Sequence, residues 1–256
     1  TCPKECAVEF ETEGKNVIVG GMSKGSGMIH PNMATMLSVI TTDACIGQEL
    51  LLETLQSVVG DTFNMISVDR DTSTNDTCIV LANGMSGIPE IKKGTEAYEA
   101  FREALLHVAR ELAKQMAGDG EGCTKLLEVK VENAATVEAA KQLSKSVITS
   151  NLVKTAVYGS DANWGRILCA LGYAGVEFDP ETVDLTICAE GEQGMESIVL
   201  VKDGAATGYS EEEATKLLRQ SEVSVICDMK QGNASAVAWG CDLTYDYVKI
   251  NGDYRS

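Results

Sequence analysis

The sequence predicts a mixed α/β or α+β fold, with mixed or antiparallel sheets and packed helices. Runs rich in β-branched residues, which are typical of strands, occur between segments whose apolar residues recur at helical spacing. The two kinds of segment follow no strict βαβ rhythm, so an all-parallel sheet is not expected. Hydrophobic residues make up 44% of the 256 residues and charged residues 23%, which is ordinary for a globular protein.

Local patterns predict each element in the first half of the chain. Strands are expected at residues 6–21 (two strands around a Gly-containing turn), 35–46, 65–69 and 77–84. Residues 47–63 carry apolar side chains at helical spacing and predict a helix. The clearest helix runs from Thr95 to Met116 and ends near Gly118, since glycine is a common helix stop. Its apolar stripe consists of Tyr98, Phe101, Leu105, Val108, Leu112 and Met116.

The second half continues the mixture of strands and helices. Strands are expected at residues 125–134, 152–159, 182–191, 197–204, 224–230 and 239–252. Helices are expected at residues 136–147 and 163–175. A further helix begins at the capping box Ser210-Glu211-Glu212-Glu213.

The composition excludes several functional classes. A net charge of −17 argues against a nucleic-acid partner, because phosphate binding needs clustered Lys and Arg. No apolar run approaches ~18 residues, so neither a membrane span nor a membrane partner is expected. The nine cysteines are scattered and lack zinc-like spacing, which predicts no disulfide framework, no metal and no cofactor. An odd number of thiols in apolar runs fits a reducing compartment, and a cytoplasmic location is expected.

The bond between Ala34 and Thr35 lies in a glycine-rich segment, residues 20–39, GGMSKGSGMIHPNMATMLSV. The glycines allow close approach to a ligand or to other backbone, and Lys24 lies among them. The spacing of a phosphate-binding loop is absent. A threonine becomes a strong nucleophile when its own α-amine serves as the base, and this requires a cut before it. Thr35 is therefore a candidate nucleophile. A plain threonine at a strand entry is the alternative, which this segment alone favours.

Three further stretches concentrate polar groups. Residues 67–77, SVDRDTSTNDT, lack the spacing of an EF-hand, so a turn held by side-chain-to-backbone hydrogen bonds is favoured over a metal site. Residues 118–125, GDGEGCTK, alternate three glycines with carboxylates, and they indicate either a turn or an acid, Glu121, that is presented to a ligand. The C-terminal tail stays aromatic and apolar almost to its end. It is therefore expected to be docked, with Asn251 and Ser256 within reach of a pocket.

Five long motifs together resemble one enzyme family. They are KGSGMIHPNMATMLSVITTDA, VDRDTSTNDT, GDGEGCTKLLEVKV, VKTAVYGSDANWGRILCALG and AWGCDLTYDYVKINGDYRS. In this order, over essentially the whole chain, they resemble the ornithine acetyltransferase family, also called glutamate N-acetyltransferase, of arginine biosynthesis. The resemblance implies a self-cleaving threonine-nucleophile acyltransferase fold and a precursor that splits between Ala34 and Thr35. Residues 1–34 are then the tail of the alpha chain, and residues 35–256 are the beta chain.

The resemblance also implies chemistry and partners. Thr35 matches the nucleophile and new N-terminus, and Lys24, Glu121, Asn251 and Ser256 match substrate-contacting positions. Two roles stay open for Glu121, which would either orient the Thr35 amine or bind the positive end of the substrate. Thr35 would take an acetyl group from N-acetylornithine and pass it to glutamate by a ping-pong mechanism with an acetyl-Thr intermediate. Whether acetyl-CoA is also a donor stays open. Two alpha and two beta chains would form a heterotetramer.

Two departures from the family pattern matter. Arg70 stands where the family usually has glycine, which calls the local turn into question. The family's N-terminal portion is expected upstream of Thr1, and it would carry the Thr-Gly pair of the oxyanion hole and a further substrate-binding threonine. Two other interpretations stay open. One is an N-terminal-nucleophile aminopeptidase or esterase with water as the acceptor, and the other is an inactive fragment that only binds its missing half.

Overall fold

The structure, a computed structural model, describes residues 2–30, 36–191 and 194–254. The chain divides into two compact units, Thr1–Ile66 with Arg70–Met116 and Ser67–Asp69 with Ala117–Ser256. Both units combine a mixed sheet with helices, so the predicted mixed fold is confirmed. Within the described ranges, no helix is both long and apolar enough to cross a membrane.

The first unit is built on a four-stranded sheet. In spatial order its strands are β1 (Lys4–Thr12), β2 (Lys15–Lys24), β3 (Leu37–Thr42) and β5 (Thr77–Ala82). The first three are antiparallel, and β3 and β5 are parallel. Glu13 and Gly14 join β1 to β2, and both have positive φ, as a type I′ hairpin turn requires.

One face of this sheet is covered by α2 (Glu96–Gly118). The predicted apolar stripe is confirmed, because all six of its residues are buried. A Cβ on Gly21 of β2 would lie 3.2 Å from Leu112 Cδ1, so the glycine lets helix and sheet approach closely. Helix α1 (Gln48–Asp61) packs against α2, where Thr54 Oγ1 lies 3.4 Å from the Tyr98 hydroxyl.

The opposite face of the sheet is exposed, and its apolar side chains come from β2, β3 and β5, whereas β1 contributes Glu5, Glu9 and Glu11 to it. Alternate side chains of a strand point to opposite faces, so the residues between the buried ones form one continuous surface. We call this surface the open sheet face. Six of its side chains are 40% to 64% exposed: Ile18, Met22, Leu37, Val39, Ile79 and Leu81. Exposed apolar side chains that cluster on one face often mark an interaction site.

The second unit contains a seven-stranded sheet. Its spatial order is β4 (Ile66–Ser67), β11 (Ala234–Cys241), β6 (Leu126–Ala134), β10 (Glu222–Asp228), β7 (Asp184–Gly191), β8 (Gly194–Lys202) and β9 (Ala205–Ala206). Strands β6 and β10 are parallel, while β11 pairs with β6, and β7 with β10 and β8, in the antiparallel sense. Buried side chains of the central strands, among them Val129, Ile187 and Val225, form part of the core.

The described residues of this unit form five α-helices: α3 (Val137–Thr149), α4 (Asn151–Tyr158), α5 (Trp164–Gly172), α6 (Glu211–Leu218) and α7 (Tyr245–Asp253). The helices predicted at 136–147 and 163–175 are confirmed as α3 and α5. The predicted helix start at Ser210 is confirmed as well, because Ser210 Oγ accepts a hydrogen bond from Glu213 N at 3.3 Å and caps α6.

The strand predicted at residues 152–159 is wrong, because this segment is α4. Ser150 Oγ accepts a hydrogen bond from Val153 N at 3.4 Å and caps the helix. Val153, Ala156 and Val157 are buried at helical spacing. Tertiary packing and a cap therefore override the strand preference of the β-branched residues.

Helix α4 also carries a lysine into the interior. Lys154 is buried, and its Nζ donates hydrogen bonds to Val68 O at 2.8 Å and to Cys241 O at 2.5 Å. A buried ammonium is tolerated only when it is paired or hydrogen-bonded, so these carbonyls fix the side chain.

The strand predicted at residues 239–252 is right only at its start. Strand β11 ends at Cys241, and α7 begins at Tyr245. Thr244 Oγ1 accepts a hydrogen bond from Tyr247 N at 3.2 Å, which caps the helix. The aromatic and β-branched residues of the tail therefore lie on a helix.

A network of charges joins β7, the β8–β9 turn and the segment after β10. Asp184 accepts hydrogen bonds from Lys202 Nζ at 2.5 Å, Lys230 Nζ at 2.6 Å and Asp203 N at 2.7 Å. Burial raises the pKa of Asp184, but the lysines outweigh this effect and lower it to about 2.

Candidate functional site

Glu121 lies in a loop between α2 and β6 that is held against α7. Gly122 has φ +69°, and a Cβ there would lie 2.7 Å from Tyr247 N in the first turn of α7. Gly120 is equally enclosed, because a Cβ would lie 2.9 Å from Cys241 Sγ. Glycines at these positions let the loop contact the end of β11 and the start of α7.

The segment between β11 and α7 fixes this loop by hydrogen bonds. The buried Asp242 carboxylate accepts from Thr124 Oγ1 at 2.5 Å, Thr124 N at 2.8 Å and Lys125 N at 3.2 Å. Thr244 Oγ1, which caps α7, also donates to Gly122 O at 2.6 Å. The residues that start α7 therefore also hold the loop that carries Glu121.

Glu121 and Asn251 are brought together by this arrangement. Asn251 Nδ2 donates to Glu121 Oε2 at 2.9 Å and to Tyr247 O at 3.1 Å. Both partners are acceptors, so the amide orientation is fixed and Asn251 Oδ1 points away from them. An ionised glutamate also only accepts. The pair therefore presents acceptors, and no donors, to a ligand.

The C-terminal tail is docked, although not through its apolar side chains. None of the nine residues of α7 is buried. Tyr245, Val248 and Tyr254 are exposed, and the Tyr245 ring meets the Tyr158 ring edge-on with centroids 6.0 Å apart. Polar and backbone contacts with the Glu121 loop fix this helix together with the ring contact.

Lys24 lies in the first unit, at the exposed end of β2. Its register partner on β3 is Leu37. The positively charged side chain therefore lies at the strand end from which the chain leads towards the predicted cut.

The stretch 67–77 forms the predicted turn with side-chain-to-backbone hydrogen bonds, and two of these reach beyond the turn. Thr72 Oγ1 donates to His30 O at 3.0 Å. Asp76 Oδ1 accepts from Met36 N at 2.6 Å, and Thr77 N donates to Met36 O at 2.9 Å. His30 and Met36 are the described residues that flank positions 31–35.

Arg70 preserves the local turn that its presence called into question. It has φ +69°, the left-handed conformation that glycine adopts easily. For a residue with a side chain this conformation costs about 1 kcal/mol. The turn is therefore kept in spite of the substitution, with some backbone strain.

Three predicted site positions, Ala34, Thr35 and Ser256, lie outside the described residues, so the cut and the nucleophile stay predictions. Among the residues that the structure describes, no group of three or more His, Cys, Asp or Glu side chains could hold a metal ion. The nine cysteines are free thiols.

Known proteins resemble this chain along its whole length. A model of the ArgJ family matches residues 1–256. The chain belongs to the ArgJ family. The arginine biosynthesis bifunctional protein ArgJ of Symbiobacterium thermophilum is 50% identical over 256 residues, which are 100% of this chain and 62% of that protein. The glutamate N-acetyltransferase of Methanocaldococcus jannaschii is 51% identical over 262 residues, 100% of this chain and 63% of that protein.

A solved structure agrees with these matches. The crystal structure of the arginine biosynthesis bifunctional protein argJ from Bacillus halodurans superimposes with a TM-score of 0.81 at 46% identity. The match covers 86% of this chain and 100% of the solved chain. The chain spans less than two thirds of the full length of the Symbiobacterium thermophilum and Methanocaldococcus jannaschii proteins.

Sequence reasoning missed the roles of four polar side chains that organise these regions. It placed Thr72 and Asp76 in a hydrogen-bonded turn without their partners, and it did not single out Asp242 and Thr244. Thr244 offered a signal, because a threonine before a polar turn is a common helix cap. The other three act on partners remote in sequence, which no local pattern reveals.

Proposed function

We propose that this chain, together with an upstream portion, is a glutamate N-acetyltransferase of arginine biosynthesis that moves an acetyl group from N-acetylornithine to glutamate. The observation that carries the proposal is the family match over residues 1–256. Relatives that are about half identical over the matched residues support it, because they are named arginine biosynthesis bifunctional protein and glutamate N-acetyltransferase.

The proposed reaction has two half-reactions that use the same nucleophile. Thr35 Oγ attacks the acetyl carbonyl carbon of N-acetylornithine, and the α-amine of Thr35 takes the hydroxyl proton. The tetrahedral intermediate then breaks its C–N bond, and the proton passes to the leaving ornithine nitrogen. The amine of glutamate attacks the carbonyl carbon of the acetyl-Thr35 ester and gives a proton to the α-amine of Thr35. The bond between the acetyl carbon and Thr35 Oγ then breaks, the proton passes to Oγ, and N-acetylglutamate leaves.

The geometry of the second unit supports a role in holding an N–H group of the substrate. Glu121 and Asn251 present only acceptors, which complement an amine or ammonium and would repel a carboxylate. Lys24 carries the complementary charge and is the proposed partner of the substrate carboxylate. Ser256 is proposed as a further substrate contact at the end of the tail.

The proposal includes a cut between Ala34 and Thr35, which frees the α-amine of Thr35. Residues 35–256 make up 222 of the 256 residues. The solved Bacillus halodurans chain matches 86% of this chain, and the match covers all of the solved chain. The share of residues 35–256 is close to that 86%. A solved chain of that length supports the proposed division into residues 1–34 and 35–256.

The upstream portion is the proposed partner of the open sheet face. Six exposed apolar side chains on one face of a sheet favour coverage by a further layer. In the proposed assembly the alpha chain supplies that layer and the oxyanion hole, and two alpha and two beta chains form a heterotetramer. Free thiols in all nine cysteines support a reducing compartment, so the proposed location is the cytoplasm.

An acetyl-transfer assay with the full-length protein tests the proposal. N-acetylornithine and glutamate should yield N-acetylglutamate, and intact mass should show two pieces. Thr35→Ala should abolish both the cut and the transfer. Release of acetate without transfer to glutamate would favour an aminopeptidase or esterase instead. Absence of any turnover, with the two parts still bound, would favour an inactive fragment. Replacing N-acetylornithine by acetyl-CoA in the same assay decides whether acetyl-CoA is a second donor.

A further inference from the structure

Residues 72–76 contact the chain on both sides of the predicted cut. The bond from Thr72 Oγ1 to His30 O, at 3.0 Å, joins residues 42 positions apart. The bond from Met36 N to Asp76 Oδ1, at 2.6 Å, joins residues 40 positions apart. Both are tertiary contacts, and they fix backbone atoms before and after positions 31–35.

The Asp76 bond is stronger than a turn requires. A carboxylate that accepts a backbone N–H makes a charge-assisted hydrogen bond, roughly twice as strong as a neutral one. Asp76 Oδ1 is the acceptor, and it holds the backbone N–H of Met36, a residue whose side chain is buried. The turn has its own internal bond, from Asn75 N to Ser73 Oγ at 3.2 Å, and it does not need an acid for that purpose.

Asp76 is also held at a cost to the fold. Burial raises the pKa of Asp76, with the Met36 N–H acting in the opposite direction. Within the described ranges, its second oxygen, Oδ2, is buried and has no hydrogen-bond partner. Buried polar atoms without a partner are rare, and each of them calls for an explanation.

We propose that Asp76 and Thr72 are positioning residues for the self-cleavage and acyl transfer at Thr35. Thr35 and Met36 share a peptide bond, and the N–H of that bond is the group that Asp76 fixes. Placement matters because a displacement of about 1 Å can reduce the rate of such a reaction about 100-fold. This inference rests on the proposed function, because it presupposes the cut between Ala34 and Thr35.

The test compares five variants of the full-length protein. Asp76→Ala removes the carboxylate, while Asp76→Asn keeps the acceptor oxygen without the charge. Thr72→Val keeps the side-chain shape without the hydroxyl, while Thr72→Ser keeps the hydroxyl. Ser73→Ala is the matched control, because it removes a bond that is internal to the same turn. Cutting is followed over time by intact mass, transfer by kcat and KM, and folding by the thermal midpoint.

We expect Asp76→Ala to slow the cut and to lower kcat about 10- to 100-fold, as the loss of a charge-assisted hydrogen bond implies, with KM within about twofold of wild type. Asp76→Asn should have an intermediate effect on the rate of the cut and on kcat, and Thr72→Val should lower both about 3- to 10-fold. Thr72→Ser and Ser73→Ala should behave like wild type.

Three outcomes would overturn the inference. The first is Asp76→Ala cutting and transferring at the wild-type rate. The second is a loss of cutting and transfer in Ser73→Ala that is as large as the loss in Asp76→Ala, which would mean that the turn as a whole matters. The third is Thr72→Val folding normally and keeping full activity, which decides the matter even where Asp76→Ala fails to fold. A wild-type protein that stays uncut, like Thr35→Ala, would instead overturn the proposed function and this inference with it.

Discussion

Gly122→Ala should destabilise the second unit and displace the loop that carries Glu121. Two terms contribute. A left-handed conformation at an alanine costs about 1 kcal/mol, and Gly122 has φ +69°. The new methyl group would lie 2.7 Å from Tyr247 N, a backbone atom that cannot swing aside, and such overpacking costs about 1–3 kcal/mol. The sum is a loss of about 2–4 kcal/mol in the free energy of unfolding.

Two matched glycine variants separate these terms. Gly14 has φ +68° with nothing within 4 Å of a Cβ, so Gly14→Ala should lose only the backbone term of about 1 kcal/mol. Gly172 is helical with nothing within 4 Å, so Gly172→Ala should be neutral or stabilise by up to about 1 kcal/mol. Urea unfolding measures all three variants. If Gly122→Ala lost no more than Gly14→Ala, the close contact between the loop and α7 would be refuted.

Three further changes test separate parts of the structure. Glu121→Gln should keep the fold and lower kcat/KM about 10-fold or more, because it adds a donor to an acceptor-only pair, and unchanged kinetics would make GDGEG only a turn. Asp184→Asn should lower the free energy of unfolding by about 1–2 kcal/mol at pH 7. The pKa of Asp184 in the folded protein is about 2, which lies below the usual 3.8. The carboxylate therefore stabilises the fold above pH ~4, and this stabilisation fades towards pH ~2. The urea midpoints of the variant and the wild type should converge there. Lys154→Met should lower the free energy of unfolding by about 2–4 kcal/mol, because it leaves two buried carbonyls unpaired. The control Lys249→Met, at an exposed position, should lower it by less than about 0.5 kcal/mol.

Local periodicity predicted the elements whose local pattern agrees with their packing. Helix α2 has six apolar residues on one face, and all of them are buried. Helix α4 was mistaken for a strand because Val153, Thr155 and Val157 alternate as strand residues do. What decides this segment is the cap at Ser150 and the depth of burial, and neither can be obtained from β-propensity.

The candidate site divides in the same way. The glycines around Glu121 were recognisable because a simple turn does not need three of them, and Gly122 does require the left-handed conformation. The role of Asp76 was not recognisable, because its partner, Met36, lies 40 positions earlier and acts through its backbone N–H. A contact of this kind leaves no spacing rule in a single sequence.

The acceptor-only character of the Glu121–Asn251 pair limits which substrate group it can serve in the proposed reaction. Ornithine and glutamate differ at the end of the side chain, where one carries an ammonium and the other a carboxylate. A carboxylate next to Glu121 would be repelled, so the pair cannot hold that end of both molecules. Both substrates share the α-nitrogen, which loses the acetyl group in one half-reaction and gains it in the other. This nitrogen carries N–H groups as the ornithine leaves and as glutamate attacks, and it therefore suits the pair in both steps. It follows that Glu121→Gln should slow the two half-reactions by similar factors, whereas a side-chain contact would make the loss specific to ornithine.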